Sequence, residues 1–267
     1  MGVINLTPDS FSDGGRITGV EQAVRAAGRL VAQGADVLDL GGQSTRPGAE
    51  EVGVAAELER LLPALVAIRA AHPQLTLSVD TFHAAVAEAA LAAGANWVND
   101  VHGASARRDP AMAALVATAG CPYVLMHSRG DSLSMDQLSH YADVVGEVRE
   151  ELEAATETLL AAGVRAEQLV WDPGLGFAKT TAHNLELLRR LPELAAVGYP
   201  LLLGPSRKRF IGAVLNEPRP RARLWGTASV CALAVGQGVA VVRVHDVGPI
   251  AQVVRMASAL VGPDGLV

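Results

Sequence analysis

The chain has 267 residues, half of them hydrophobic, and carries 22 Lys and Arg against 28 Asp and Glu, a net charge of −6. That length is close to the ~250 residues of a one-domain (β/α)8 barrel, and no apolar run approaches the roughly 20 residues that a membrane span needs. The acidic balance argues against nucleic acid or an anionic membrane as the main partner. Cys121 and Cys231 sit in apolar surroundings without a partner motif, which reads as two buried thiols in a leaderless cytoplasmic protein.

In chain order, eight short apolar runs each end in a polar or ionisable group. Val3-Ile4 runs into Asn5, Val37-Leu38 into Asp39, Leu77-Ser78-Val79 into Asp80, and Trp97-Val98 into Asn99. Tyr123 to Met126 then meets His127, and Val170-Trp171 meets Asp172. Leu201 to Leu203 leads to Ser206 and Lys208, and Val241-Val242 to Arg243 and His245. A run that does not alternate is a strand buried on both faces, as in a parallel sheet. Between the runs lie segments of helical period over Val20–Gln33, Ala55–Ala71, His83–Ala93, Pro110–Ala119, Val144–Ala162, Thr181–Ala196, Leu224–Gln237 and Pro249–Val261. Gly34, Gly94, Gly120 and Gly163 suit left-handed helix ends, and Asp109-Pro110 suits a helix start. A doubly wound open sheet usually needs fewer strands, and no G-x-G-x-x-G follows the first one. The expectation is therefore a single-domain α/β protein, a (β/α)8 TIM barrel over residues 1–267.

In such a barrel the strand C-termini carry the chemistry. The long segments Leu6–Thr18, Gln43–Val54, Ser128–Asp143 and Pro205–Arg223 all follow strands, so they share that face and could close over it. Asp39, Asp80 and Asp172, with Asn5 and Asn99, suit a ligand rich in N–H donors, because a carboxylate facing an amidine-like edge makes two parallel charge-assisted hydrogen bonds. Any one of the three could instead be structural, bonded to a loop amide or a neighbouring Arg. The opposite rim is cationic, with Lys208, Arg243 and His245 where barrels commonly hold a phosphate. Of 22 basic residues only Lys179 and Lys208 are lysines, which marks both as places where a compact ammonium is needed. Arg207 and Arg209 read as a solvated helix start, and Arg107-Arg108 as a solvated loop. His72, His83 and His140 form no metal-ligand spacing, and His127 has no clear task.

The motifs NLTPDSFSDGG (residues 5–15), GGQSTRPGAE (41–50), SVDT (78–81), VND (98–100), LMH (125–127), DPGLGFAK (172–179), SRKRFIG (206–212) and RVHDV (243–247) span the chain in order. In these the sequence resembles the dihydropteroate synthase family. The resemblance implies coupling of 6-hydroxymethyl-7,8-dihydropterin diphosphate with 4-aminobenzoate, releasing diphosphate and dihydropteroate. It implies that Asp80, Asn99, Asp172 and Lys208 hold the pterin ring, with Met126 and Phe177 as apolar walls. Asn5, Arg243 and His245 would bind the diphosphate with Mg2+, Asn5 serving as the metal ligand. Thr45, Arg46, Pro47, Phe11 and Ser206 would form the aminobenzoate site. Asp80, Lys208 and Arg243 are the catalytic candidates, a homodimer is implied, and no side-chain nucleophile is needed. Two rival readings are a pterin-dependent methyltransferase domain and a non-catalytic pterin-binding homologue. The first does not need the TPDSF, STRPG and SRK segments, and the second does not need Asn5, Lys208, Arg243 and His245. Gln43 stands where the family usually has Glu, which removes a charge beside the second loop.

Overall fold

The computed structural model describes residues 1–7, 19–45 and 48–262. Among them, eight strands alternate with helices as β1 (Gly2–Asn5), α1 (Gly19–Ala32), β2 (Val37–Gly41), α2 (Val54–Ala71), β3 (Thr76–Asp80), α3 (Ala84–Ala92), β4 (Trp97–Asp100), α4 (Met112–Ala119) and β5 (Tyr123–Met126). The chain continues through α5 (Val144–Ala161), β6 (Leu169–Asp172), α6 (Thr181–Arg189), α7 (Leu191–Ala195), β7 (Leu201–Leu203), α8 (Arg209–Leu215), α9 (Leu224–Gly236), β8 (Val239–Val242) and α10 (Val247–Val261). All neighbouring strands are parallel and in sequence order. The barrel closes where Val3 N–H donates to Val244 O at 3.1 Å and Val244 N–H to Met1 O at 3.0 Å. No helix among the described residues is long and apolar enough to cross a membrane.

Strand alternation sorts the side chains. Ile4, Leu38, Leu40, Leu77, Val79 and Leu125 face outward and form, with the helices, the main core. Met1, Val124, Val170 and Leu202, flanked by Val37, Trp97 and Val241, form a separate apolar cluster that plugs the barrel. Two residues further along the same strands come Asp39, Asn99, Met126, Asp172 and Arg243. A period of two therefore lifts a mostly polar layer directly onto an apolar floor, and that layer is the candidate site.

The helix boundaries differ from the sequence expectation in physically readable ways. Residues 181–196 form two helices meeting at Arg190, because Pro192 near the start of α7 has no N–H to continue the ladder. Helix α4 begins at Met112, and Asp109 accepts instead from the backbone N–H of Ala111 at 2.9 Å and of Ala84, at the start of α3, at 2.8 Å. The segment 205–223, read as a loop, contains α8 and a 3-10 turn at Pro220–Arg223. Gly34, Gly94, Gly120 and Gly163 are left-handed, with φ of +98°, +102°, +65° and +95°, as their helix-end positions require. Cys121 and Cys231 are free and buried.

Candidate active site

Asp80 ends β3 and Asp39 sits mid-way along β2, both facing inward, and one guanidinium joins them. Arg243, just past β8, donates from Nε to Asp39 Oδ2 at 2.6 Å and from Nη2 to Asp80 Oδ2 at 2.5 Å. Asn99 Nδ2 donates to the same Asp39 oxygen at 3.0 Å, while Asp39 Oδ1 is buried with no partner among the described residues. Asp39 is thus the organiser of this side of the site. Burial raises the Asp80 carboxyl, Arg243 opposes that rise and Asp39 adds to it, so the charge on Asp80 depends on Arg243.

Across the barrel, Asp172 ends β6, opposite Met126 in register, and its Oδ1 accepts from Gly174 N–H at 2.8 Å. Burial raises this carboxyl too, with Lys208 and Arg243 among the charges that hold it down. Lys208 immediately precedes α8, and burial lowers its ammonium to about 8 while Asp172 and Asp80 pull it back up. Its Nζ lies 4.2 Å from the centre of the Phe177 ring, a cation–π contact. Phe177 packs with Phe82, Val101 and Met126 in a small apolar cluster at the mouth. Met126 and Phe177, expected as apolar walls, and the polar Asp172 and Lys208 therefore occupy one place.

Ser206 and His245 meet, His245 N–H donating to Ser206 Oγ at 3.1 Å and Nδ1 lying 2.9 Å from the same oxygen. Two residues expected in different subsites, one for aminobenzoate and one for diphosphate, thus share a hydrogen bond. Asn5 ends β1 half-buried, in register with Gly41. Thr45 lines a cleft with Phe82, His102, Arg129, Met135 and Phe177. Phe11, Arg46 and Pro47 lie outside the described residues.

Several readings need correction. Arg207, at φ +61°, is not a solvated helix start: it pairs with Asp246 through two bonds of 2.9 and 2.6 Å. Arg107 is not idle either, lying 2.9 Å from Glu51 and 3.4 Å from Asp131, and so joining the loops after β2 and β5. Gly48 N–H to Ser132 O at 2.8 Å strengthens that junction. Gln43 replaces the lost charge with hydrogen bonds, accepting from Val52 N–H at 2.8 Å and donating from Nε2 to Ser44 O and Glu50 O at 3.4 Å each. Glu151, which sequence reading did not single out, reaches the site from α5 through His127 at 3.0 Å. Its only sequence signal is a Glu on a polar helix face, which is no signal at all.

This barrel mouth has counterparts. The model of the pterin binding enzyme family matches residues 1–245. Dihydropteroate synthase of Synechocystis is 47% identical over 97% of this chain and 89% of its own length, and that of Mycobacterium leprae 49% over 92% and 88%. The Xanthomonas albilineans dihydropteroate synthase solved with 4-aminobenzoic acid superposes with a TM-score of 0.90 at 43% identity, covering 97% of this chain and 91% of that one. The same enzyme in complex with 7,8-dihydropteroate gives 0.87 at 40% identity, covering 97% and 92%. With near-complete coverage by both sequence and fold, the chain belongs to the dihydropteroate synthase family of pterin-binding enzymes.

Proposed function

We propose that this barrel condenses 6-hydroxymethyl-7,8-dihydropterin diphosphate with 4-aminobenzoate. The observation that carries the reading is the polar layer itself, with Asp39, Asp80, Asn99 and Arg243 joined on one side, Asp172 and Lys208 across the barrel, and Met126 and Phe177 as apolar neighbours. Asp172, Asn99 and Lys208 would take the hydrogen-bonding edge of the pterin, and Phe177 and Met126 its faces. Arg243 and His245 would meet the diphosphate. The carbon–oxygen bond to diphosphate breaks with its electron pair leaving on oxygen, and the aminobenzoate nitrogen forms the new bond and then loses a proton. Positive charge grows on the pterin methylene meanwhile, and Asp80, fixed by Arg243, lies in a low-dielectric setting where a carboxylate stabilises it strongly. Ser206 and Thr45 would receive aminobenzoate, together with Phe11, Arg46 and Pro47 from outside the described residues.

Mg2+ fits the donors present. No group of three or more His, Cys, Asp or Glu that could hold a metal occurs among the described residues. Asn5 would supply one oxygen, and the substrate diphosphate and water the rest, as this hard cation favours. When bound it would neutralise the leaving group. Two free thiols and the absence of a spanning helix among the described residues support a cytoplasmic enzyme. The exposed apolar side chains of α8, α9 and α10 support a homodimer.

The test is diphosphate release from the dihydropterin diphosphate, with and without 4-aminobenzoate and Mg2+. Turnover that requires both and yields stoichiometric dihydropteroate is expected. Lys208→Ala and Asp172→Ala should each weaken pterin binding by about tenfold or more, since buried donors lose their partner. Wild-type affinity in both variants, by calorimetry, would remove the pocket assignment.

A further inference from the structure

One of the two lysines, Lys208, faces the proposed pterin pocket. The other, Lys179, is buried and bonds to protein groups. Its Nζ lies 2.8 Å from Nδ1 of His127 and 3.0 Å from the carbonyl oxygen of Phe177. His127 is fully buried, and its Nε2 lies 3.0 Å from Oε2 of Glu151 on α5. Arg129 clamps the same carboxylate, with Nε 3.0 Å from Oε1, and also reaches Glu147 at 2.9 Å. Against the burial that would raise it, the bonds from His127 and Arg129 hold Glu151 down at about 2.

These contacts fix the protons. A carboxylate only accepts, so His127 Nε2 carries the hydrogen and Nδ1 is left as an acceptor. Lys179 must therefore donate to Nδ1, and a second N–H goes to Phe177 O. Burial, helped by the nearby Lys179 charge, lowers His127 to about 4, so the ring stays neutral in this arrangement. The chain Glu151, His127, Lys179, Phe177 runs without a break from a helix on the barrel's outside to the aromatic wall inside.

The loop at its inner end needs holding. Between Asp172 and α6, Gly174, Gly176 and Ala178 all take left-handed backbone, with φ of +69°, +78° and +48°. Ala178 does so despite its Cβ, directly before Lys179. A Cβ on Gly174 would overlap the carbonyl oxygen of His127, so the loops after β5 and β6 press backbone to backbone here. Asn184 ties the far side, accepting from Gly176 N–H at 2.7 Å and donating to Thr180 O at 2.6 Å. In this strained pose Phe177 lies under the Lys208 ammonium.

We propose that Lys179, His127 and Glu151 are positioning residues, a buried strut that sets the pose of Phe177 and thereby tunes recognition of the pterin half of the reaction. This rests on the assignment of Asp172, Phe177 and Lys208 to the pterin. The strut ends on the carbonyl of Phe177, the ring that Lys208 covers, and makes no bond to Thr45 or Ser206, so its main effect is expected on the pterin although Phe177 also lines the cleft beside Thr45.

The experiment uses the full chain with Lys179→Met, His127→Leu, His127→Asn and Glu151→Leu, and Lys208→Ala as the pocket control. The readouts are calorimetric affinity for the dihydropterin diphosphate with Mg2+, KM for 4-aminobenzoate and thermal unfolding. Lys179→Met and His127→Leu should weaken pterin binding by about tenfold, as small misplacements of a binding wall do, while the aminobenzoate KM stays within about twofold. His127→Asn should recover most of the loss, because its amide oxygen stands near the Nδ1 position and can accept from Lys179. Glu151 is partly solvent-accessible, so Glu151→Leu keeps the test open if a deeper variant fails to fold, and it should shift pterin affinity in the same direction. Folded strut variants with wild-type pterin affinity beside a weakened Lys208→Ala would overturn the strut alone. Wild-type affinity in every variant, Lys208→Ala included, would overturn the pocket assignment and the strut with it. Equal losses for both substrates without rescue by His127→Asn would reduce these residues to ordinary core.

Discussion

Glu57 shows what a single buried group does at the residue scale. It lies in the first turn of α2, fully buried, and among the described residues neither carboxylate oxygen finds a hydrogen bond of good geometry. Burial pushes its carboxyl up to about 7, and the Thr81 hydroxyl and Arg60 offset part of that. The folded state then holds a proton that the unfolded chain has already released, so stability falls as pH rises from about 4.5 to about 7 and levels off above. Glu57→Gln keeps the shape and removes the titration. Its unfolding free energy should exceed that of the wild type by up to about 3 kcal/mol at pH 8 and match it near pH 4. Urea unfolding at both pH values checks this, and a pH-independent difference would contradict it. Why the carboxylate is kept has a geometric side: the Gly41-Gly42 backbone passes between Asp80 and Glu57, with a Cβ on Gly42 coming within 3.1 Å of the Glu57 side chain. The Gly-Gly pair was visible in the sequence, but the two acids either side of it are 23 positions apart and their pairing was not.

Among the elements, α8 depends most on one side chain outside it. Arg223 is buried and donates to four carbonyls, Glu217 O at 2.9 Å, Pro218 O at 2.7 Å, Arg207 O at 3.0 Å and Lys208 O at 3.4 Å. Gly212 allows the helix to lie on that guanidinium, where any Cβ would overlap it. Arg223→Met should cost roughly 2–4 kcal/mol, since the freed carbonyls stay buried, and should raise amide exchange selectively between Ser206 and Glu217. Uniform exchange across the chain would argue against this anchoring. Here the sequence was only partly legible. Strand ends, glycine stops and the cationic rim followed from local rules of period and backbone shape. A seven-residue helix inside a segment rich in Arg and Pro did not, because its support comes from a side chain eight positions beyond its last residue. The Arg107 and Arg207 pairings escaped for the same reason, each depending on a carboxylate from another loop.

For the whole molecule, alternation within the strands explains why fold and site could be read together. The apolar floor of Met1, Val124, Val170 and Leu202 and the polar layer two residues above it obey one rule, so finding the strands finds the site. What covers the outer surface follows no such rule. Val214, Leu215, Trp225, Leu233, Met256 and Leu260 are exposed on the adjacent helices α8, α9 and α10, with Trp225 at 75%. A dimer joined there should come apart on Trp225→Glu, with sedimentation moving from about twice the 27.7 kDa chain mass to one copy while helical content is kept. Wild-type sedimentation at one chain mass would remove the dimer from the proposal. The closing seam has a consequence of its own. Val3 on one side of it is made long before Val244 on the other, so on the ribosome β1 must wait, its edge open, until β8 and the residues just after it have emerged. Assembly of the active site then waits on that seam, and the interval before it closes is when an open sheet edge is most exposed to other chains.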